Sequence, residues 1–311
     1  MPIRQPRLST VTVQKKQFAQ RLFTWYTKHA RDLPWRRTHE PYRILLSEMM
    51  LQQTQVDRVI EYYTAWLKKF PNVKALAAAP VGEVIAAWQG LGYNRRALYL
   101  HRIAKTVVSE HGGKFPRTHE GLLALPGIGP YTAGAMMSFA FRENAPILDT
   151  NVKRVLGRIF LGYKRLARSR EDELWKLAGA VLPSADVYYF NQALMDFGSL
   201  VCVQRKPKCS ECPFQNMCKS YPKILDAPRE ELRLPKVKET LYFGQPRRIW
   251  RGKILNYLHS VDTVTGATPL QIGRAIQPDF STSRLAWLRS VIQTLEHDTL
   301  VVYKKKKIYL P

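Results

Sequence analysis

Two prolines and two glycines fall within six residues, Leu125-Pro126-Gly127-Ile128-Gly129-Pro130, and they restrict the fold more than any other stretch. Such spacing ends one helix and starts another through a tight turn. An apolar helix follows from Tyr131, and a lone carboxylate, Asp149, stands just ahead of a further helix. Gly127 and Gly129 let a ligand approach the backbone. The N–H groups of the turn and the positive end of the next helix then make a phosphate site indifferent to base sequence. An ordinary corner between two helices is written the same way.

Helical spacing dominates the chain around that turn. Residues 1–12 read as a loose leader. Phe18, Leu22, Phe23 and Tyr26 then recur on one helical face between Val13 and Lys28. Pro41 suits the first turn of a helix through YRILLSEMMLQQ. Further helices are predicted over Val56–Phe70, Val73–Ala78, Val81–Gln89 and Arg95–Glu110, and near 119–141, 150–161, 170–182 and 187–201. β-Branched alternation is almost absent before residue 240, so the first two thirds is expected to be all-α.

The last quarter differs. Ser220–Arg248 carries Pro222, Pro228, Pro235 and Pro246 with mixed charge, a linker by composition. Beyond it come helices over Ile249–Ser260, from Pro269, and over Ser281–His297, then LVVYKKKKIYLP, two short strands about a basic turn. Three helices and a basic hairpin outline a small α+β winged helix-turn-helix, although any small helical module ending in a hairpin is patterned alike. The expected division is therefore 1–220 with a cysteine loop at 202–218, a linker at 221–248, and a C-terminal domain at 249–311.

Charge narrows the partner. The chain holds 49 Lys and Arg against 24 Asp and Glu, a net +25 spread along its length, which points to a polyanion met by folded surfaces. No apolar run approaches the roughly 20 residues of a membrane span. The basic start lacks the apolar core of a secretory signal, so a cytoplasmic, nucleoid-associated monomer without membrane attachment is expected.

Three groups carry chemistry. Glu48 lies among Leu45, Leu46, Met49, Met50 and Leu51. Inside an apolar run a carboxyl resists ionisation and becomes a usable general acid, whereas on the exposed stripe of an amphipathic helix it would be ordinary. Asp149 is a natural helix N-cap, and it could equally stabilise a developing cation. Two carboxyl groups in different environments are the usual machinery of glycoside cleavage. The cysteines run Cys202-x6-Cys209-x2-Cys212-x5-Cys218. Four thiols in one loop suit zinc or a 4Fe–4S cluster, and the single close pair favours the cluster. Arg205, Lys206 and Lys208 in that loop face phosphates or only water.

Taken together, LPGIGPYTAGA, LDTNVKRVLGR, the cysteine spacing, PWR, LSEMMLQQTQV, WQGLGYNRRALYLH and FNQALMDFGSLVC resemble the helix-hairpin-helix DNA glycosylases of the endonuclease III superfamily, most of all its MutY-type adenine-removing branch. The likeness runs from about residue 15 to 220. It implies a two-lobed all-α domain with a six-helix barrel, a lobe carrying a 4Fe–4S cluster on Cys202, Cys209, Cys212 and Cys218, and a base turned out of double-stranded DNA. It implies that protonated Glu48 serves the departing adenine and ionised Asp149 the sugar cation, with Asn151 and Tyr131 alongside. Gln53, Leu91 and Tyr93 would fill or wedge the duplex, Gly127 and Gly129 would hold a phosphate, and Trp35, Arg36 and Gln192 would line the base pocket. Strand-cleaving relatives place a lysine where this chain has Tyr131, so a monofunctional hydrolase in base excision repair is implied, acting on adenine opposite 8-oxoguanine or guanine. Two departures stand out. The tail is too short and too helical for the Nudix-like domain of familiar adenine glycosylases, and Asn94 replaces a common aromatic. A thymine or uracil mismatch glycosylase and a non-catalytic iron–sulfur DNA-binding regulator are the alternatives.

Overall fold

The computed structural model describes residues 8–165, 170–228, 232, 239–261 and 265–311, with side chains from Gln14 onward. Residues 1–7 of the expected leader, and 229–231 and 233–238 of the expected linker, lie outside the described residues. The chain forms two compact units, each assembled from separated stretches of sequence.

The first unit gathers residues 1–48 and 116–236. It contains α1 (Leu8–His29), a 3-10 turn at Pro34–Arg37, and most of α2 (Pro41–Leu51). After these come α7 (His119–Leu123), α8 (Pro130–Ala135), α9 (Thr150–Leu161), α10 (Glu171–Val181) and α11 (Val187–Leu200). Phe18, Leu22 and Trp25 fall on one face of α1 and are buried. Phe18 packs edge-on against Phe160 of α9 and Phe190 of α11, with ring centres 5.0 and 6.0 Å away, and lies tilted over Phe214. Phe197 of α11 meets Trp25 and Phe214 edge-on. The cysteine loop thus rests on the same aromatic core as the N-terminal helix. α1 starts at Leu8, so the loose leader ends earlier than expected. Extending a helix already anchored at Phe18 costs less than nucleating one.

α8 runs into a π-helical stretch at Met136–Ala140 that the apolar pattern does not reveal. Asn191 of α11 holds it by donating to the Ser138 hydroxyl and the Ala145 carbonyl, both at 2.9 Å. α9 begins at Asp149, whose carboxylate accepts the Val152 N–H at 2.7 Å, and ends at left-handed Gly162.

The second unit gathers residues 49–115 and 237–311. Its first part is α3 (Val56–Lys69), α4 (Val73–Ala78), α5 (Val81–Trp88) and α6 (Arg95–His111). Its second part holds α12 (Arg247–Ser260), α13 (Pro269–Ile276), α14 (Leu285–His297) and the hairpin β3 (Val302–Lys304) with β4 (Lys307–Tyr309). Ile254, Leu258, Ile272, Leu288, Ile292, Leu295 and Ile308 form one buried cluster, and Ile85 of α5 and Leu98 of α6 belong to it. The end of the expected linker is folded. β1 (Leu241–Tyr242) pairs antiparallel with β2 (Gln245–Pro246) through left-handed Phe243 and Gly244, and α12 begins two residues early. Aromatic contacts explain this where composition misled. Phe243 and Trp250 both meet Trp287, with centroids 4.8 and 5.3 Å away, and Trp250 donates to the Tyr242 carbonyl at 2.8 Å. No described helix is long and apolar enough to cross a membrane.

Candidate active site

α2 buries both sides of its last turns, and Glu48 goes under with Leu45, Leu46, Met49 and Met50, at 4% exposure. The exposed-stripe reading of Glu48 therefore fails. Burial lifts its pKa to about 7, the nearby Asp149 adds to the rise, and Tyr131 and Arg36 oppose it. The hairpin turn ends so that Tyr131, the second residue of α8, donates its hydroxyl to Glu48 Oε2 at 2.6 Å. Burial and the two carboxyl groups hold the Tyr131 proton well above the ordinary phenol range. Tyr131 is thus a fixed donor to one carboxyl oxygen, and Oε1 is left for other work.

Asp149 is half-buried at the start of α9. Burial, the largest effect, also leaves its pKa raised, and the Val152 N–H, the Asn151 amide at 3.0 Å and the Arg154 charge offset part of the rise. Two carboxyl groups therefore share one region, both raised by burial and unequally offset by donors. Glu48 is desolvated and inclined to keep its proton, and Asp149 is capped by donors that favour the anion.

Arg154, unnoticed in the sequence, fixes this arrangement. It donates to Asn151 Oδ1 at 2.7 Å, to the Gly198 carbonyl at 2.5 Å and to the Cys202 carbonyl at 2.6 Å. Its available signal was a cation, repeated at Arg158, on the otherwise apolar face of α9. Gly198 was also missed. A side-chain carbon there would stand 2.6 Å from Asn151 Cβ, so only glycine lets α11 pass this close. The third omission is Asp196, fully buried, which holds Arg31 and Arg36.

The other expected residues divide. Arg36 donates to both Asp196 oxygens at 2.7 and 2.8 Å, so its guanidinium is committed to that pair. Trp35 and Gln192 are buried in the same unit, and Gln192 hydrogen-bonds Tyr188. Gly127 takes a left-handed φ of 82°, as the turn requires, whereas Gly129 is extended and a side-chain carbon there would meet open space. In the second unit Gln53 and Tyr93 are exposed, with φ of 59° and 49°. Leu91 is 6% exposed and its carbonyl accepts from Arg96, so it does not project as a wedge. Its apolar side chain is buried, whereas Tyr93 is 57% exposed with Arg96 over its ring. Arg96 pins both turns by donating to the Gln52 and Gly92 carbonyls at 2.7 and 3.0 Å.

The four cysteines are free, half-buried thiols; burial first, and the neighbouring sulfurs after it, push the pKa of Cys209, Cys212 and Cys218 up, Cys212 to about 12. Backbone N–H groups of Phe214, Ser220 and Tyr221 point at the Cys212 and Cys218 sulfurs, and Arg158 stands 3.6 Å from the Cys202 sulfur. Donors aimed at sulfur suit thiolates bound to a cationic centre. No group of three or more His, Cys, Asp or Glu among the described residues is arranged to hold a single metal ion.

Residues 46–179, which include the turn and both carboxyl groups, match the HhH-GPD superfamily base excision DNA repair protein family. The chain is 41% identical to an adenine DNA glycosylase of Buchnera aphidicola over 66% of its own length and 58% of that protein's. It is 40% identical to an adenine DNA glycosylase of Mycolicibacterium smegmatis, over 81% and 83%. Among solved structures, a thermostable thymine-DNA glycosylase superposes with a TM-score of 0.64 at 34% identity, covering 68% of this chain and 98% of that one. The chain belongs to the HhH-GPD superfamily of base excision DNA repair proteins and, within it, to the adenine DNA glycosylase family. It spans little more than half the length of the Buchnera relative.

Proposed function

We propose that the protein is a monofunctional glycosylase that hydrolyses the N-glycosidic bond of a flipped-out adenine opposite 8-oxoguanine or guanine in double-stranded DNA. The observation that carries this reading is the unequal pair, Glu48 near neutrality beneath Tyr131 and Asp149 under its cap of donors. Glu48 Oε1 gives its proton to the base as the C1′–N bond breaks and the electron pair leaves with adenine. The Asp149 carboxylate steadies the positive sugar. Water then adds at C1′, and its proton returns to Glu48. Asn151 holds Asp149 in place, and Tyr131, having no amine, offers no Schiff base to the opened sugar. Gly127 and open-faced Gly129 take a phosphate, and exposed Gln53 and Tyr93 fill the duplex. Trp35 and Gln192 line the base pocket, with Arg36 acting there through its field on Glu48.

Residues 1–220 form the glycosylase domain on this reading, followed by the linker and a winged helix at 249–311. The isolated bridge between Ala267 and Ile308 supports the last assignment. It sets a short edge before α13 beside β4, in the order helix, strand, two helices, hairpin. Cys202, Cys209, Cys212 and Cys218 would hold a 4Fe–4S cluster, since only Cys209 and Cys212 form a close pair in the loop and Arg158 and backbone N–H groups face the sulfurs. Held by these four residues, the cluster would serve a structural role, with the loop set against the ends of α9 and α11.

A panel of duplexes with adenine opposite guanine or 8-oxoguanine, and thymine or uracil opposite guanine, tests the substrate. Adenine release with the strand left intact until alkali is added is expected, and Asp149→Asn should abolish it. Release of thymine instead, or wild-type release by Asp149→Asn, would sink the assignment.

A further inference from the structure

We infer that the β3–β4 hairpin is a second DNA-backbone contact, rigidly set relative to the turn that projects Tyr93. The hairpin reverses at Lys305 and Lys306, whose φ values are 49° and 64°. Lys304 and Lys307 face each other in the pairing register. Both central positions of a two-residue turn with positive φ favour Asn-Gly, and lysine fits neither comfortably. Backbone strain accepted to set two lysines at a tip is an observation that calls for a use. Lys304, Lys305 and Lys306 are exposed, as is Tyr303 beside them, and Lys307 is spent on the Thr265 carbonyl at 2.9 Å.

The helix that a winged helix would lay in the major groove is poorer in charge. The outward residues of α14 are Ala286, Arg289, Gln293, Glu296 and His297. Arg284 at its start is engaged by Asp279 and by the Phe243 ring. The chemistry favours phosphates gripped by the hairpin over bases read by the helix.

Docking makes this contact count. Ile85 and Leu98 share the module's core. Gln89 donates to Asn256 at 2.9 Å and Arg95 pairs with Asp298 at 3.5 Å, one bond on each side of the Gly90–Asn94 turn. Arg102 donates to Thr299 at 3.0 Å. The hairpin is therefore fixed to the turn that carries Tyr93 with no flexible tether to order when DNA binds.

The inference rests on DNA being the substrate but not on which base is removed. Lys305→Asn combined with Lys306→Gly removes both charges and gives the turn its preferred residues. Binding of an undamaged duplex is measured across salt concentrations, together with the melting temperature. The double variant should melt no lower than wild type, bind several-fold more weakly at physiological salt, and lose about two from the slope of log K against log salt. Lys305→Arg with Lys306→Arg should restore the slope. An unchanged slope in the Asn-Gly variant, or an equal loss in the Arg-Arg variant, overturns the inference. Failure of the glycosylase assignment would show separately, as absent base release by wild type.

Discussion

Glu48 is where a single side chain sets the pH behaviour. Folded, it keeps its proton up to about pH 7, whereas unfolded it releases it near its ordinary 4.5. The native state thus binds more protons between those values, and stability falls as pH rises through that window. Glu48→Gln removes the cost of burying an anion. Thermal melts should show the variant gaining up to about 3 kcal/mol over wild type at pH 8 and nothing near pH 4. The same variant should lose about a hundredfold or more in single-turnover base release, since a general acid contributes on that order. Wild-type release should decline above pH 7 as the acid ionises. Tyr131→Phe removes a donor that favours the Glu48 anion, so its limb of the pH–rate profile should move upward. A downward move would contradict the hydrogen bond.

Elements carry the next level. α9 and α11 approach through Gly198, and Asn151, placed beside Asp149 in the proposed site, sits at that contact. Gly198→Ala forces a carbon into occupied space, a change that costs about 1–3 kcal/mol where packing is tight. Urea denaturation should register that loss, and base release should drop while undamaged-duplex affinity holds. Retained stability with full activity would show that the helices slide apart freely. At this scale the sequence was most readable. Caps and glycines located α9, and proline located α2 and α13, since those signals are local. Burial of Glu48, the bonds of Arg154 and the seat of Leu91 were not readable. Each depends on a partner far along the chain, and composition cannot say which apolar neighbour will arrive. The hairpin at 241–246 was misjudged for the same reason, because its stability comes from Trp250 and Trp287 rather than from its own residues.

For the whole molecule, the net charge of +25 agrees with a polyanion partner, and the C-terminal module is no detachable appendage. A chain ending near Pro235 would strip the cover from Ile85 and Leu98. Such a truncation should broaden or lower the unfolding transition of residues 49–115 and bind a dye that reports exposed apolar surface. A sharp, unaltered transition would mean that α3–α6 stand alone. Questions about the module are better put with surface substitutions than by cutting it away.

That shared core also governs the order in which the protein is made. Leu98 leaves the ribosome long before Ile254, Leu288 or Ile308, the residues that complete its surroundings. At about 5–20 residues per second, the gap from Leu98 to Ile254 amounts to roughly 8–30 seconds of translation. Through that interval α5 and α6 present an unfinished apolar face to solvent. Messenger changes that slow elongation between these two stretches lengthen that exposure.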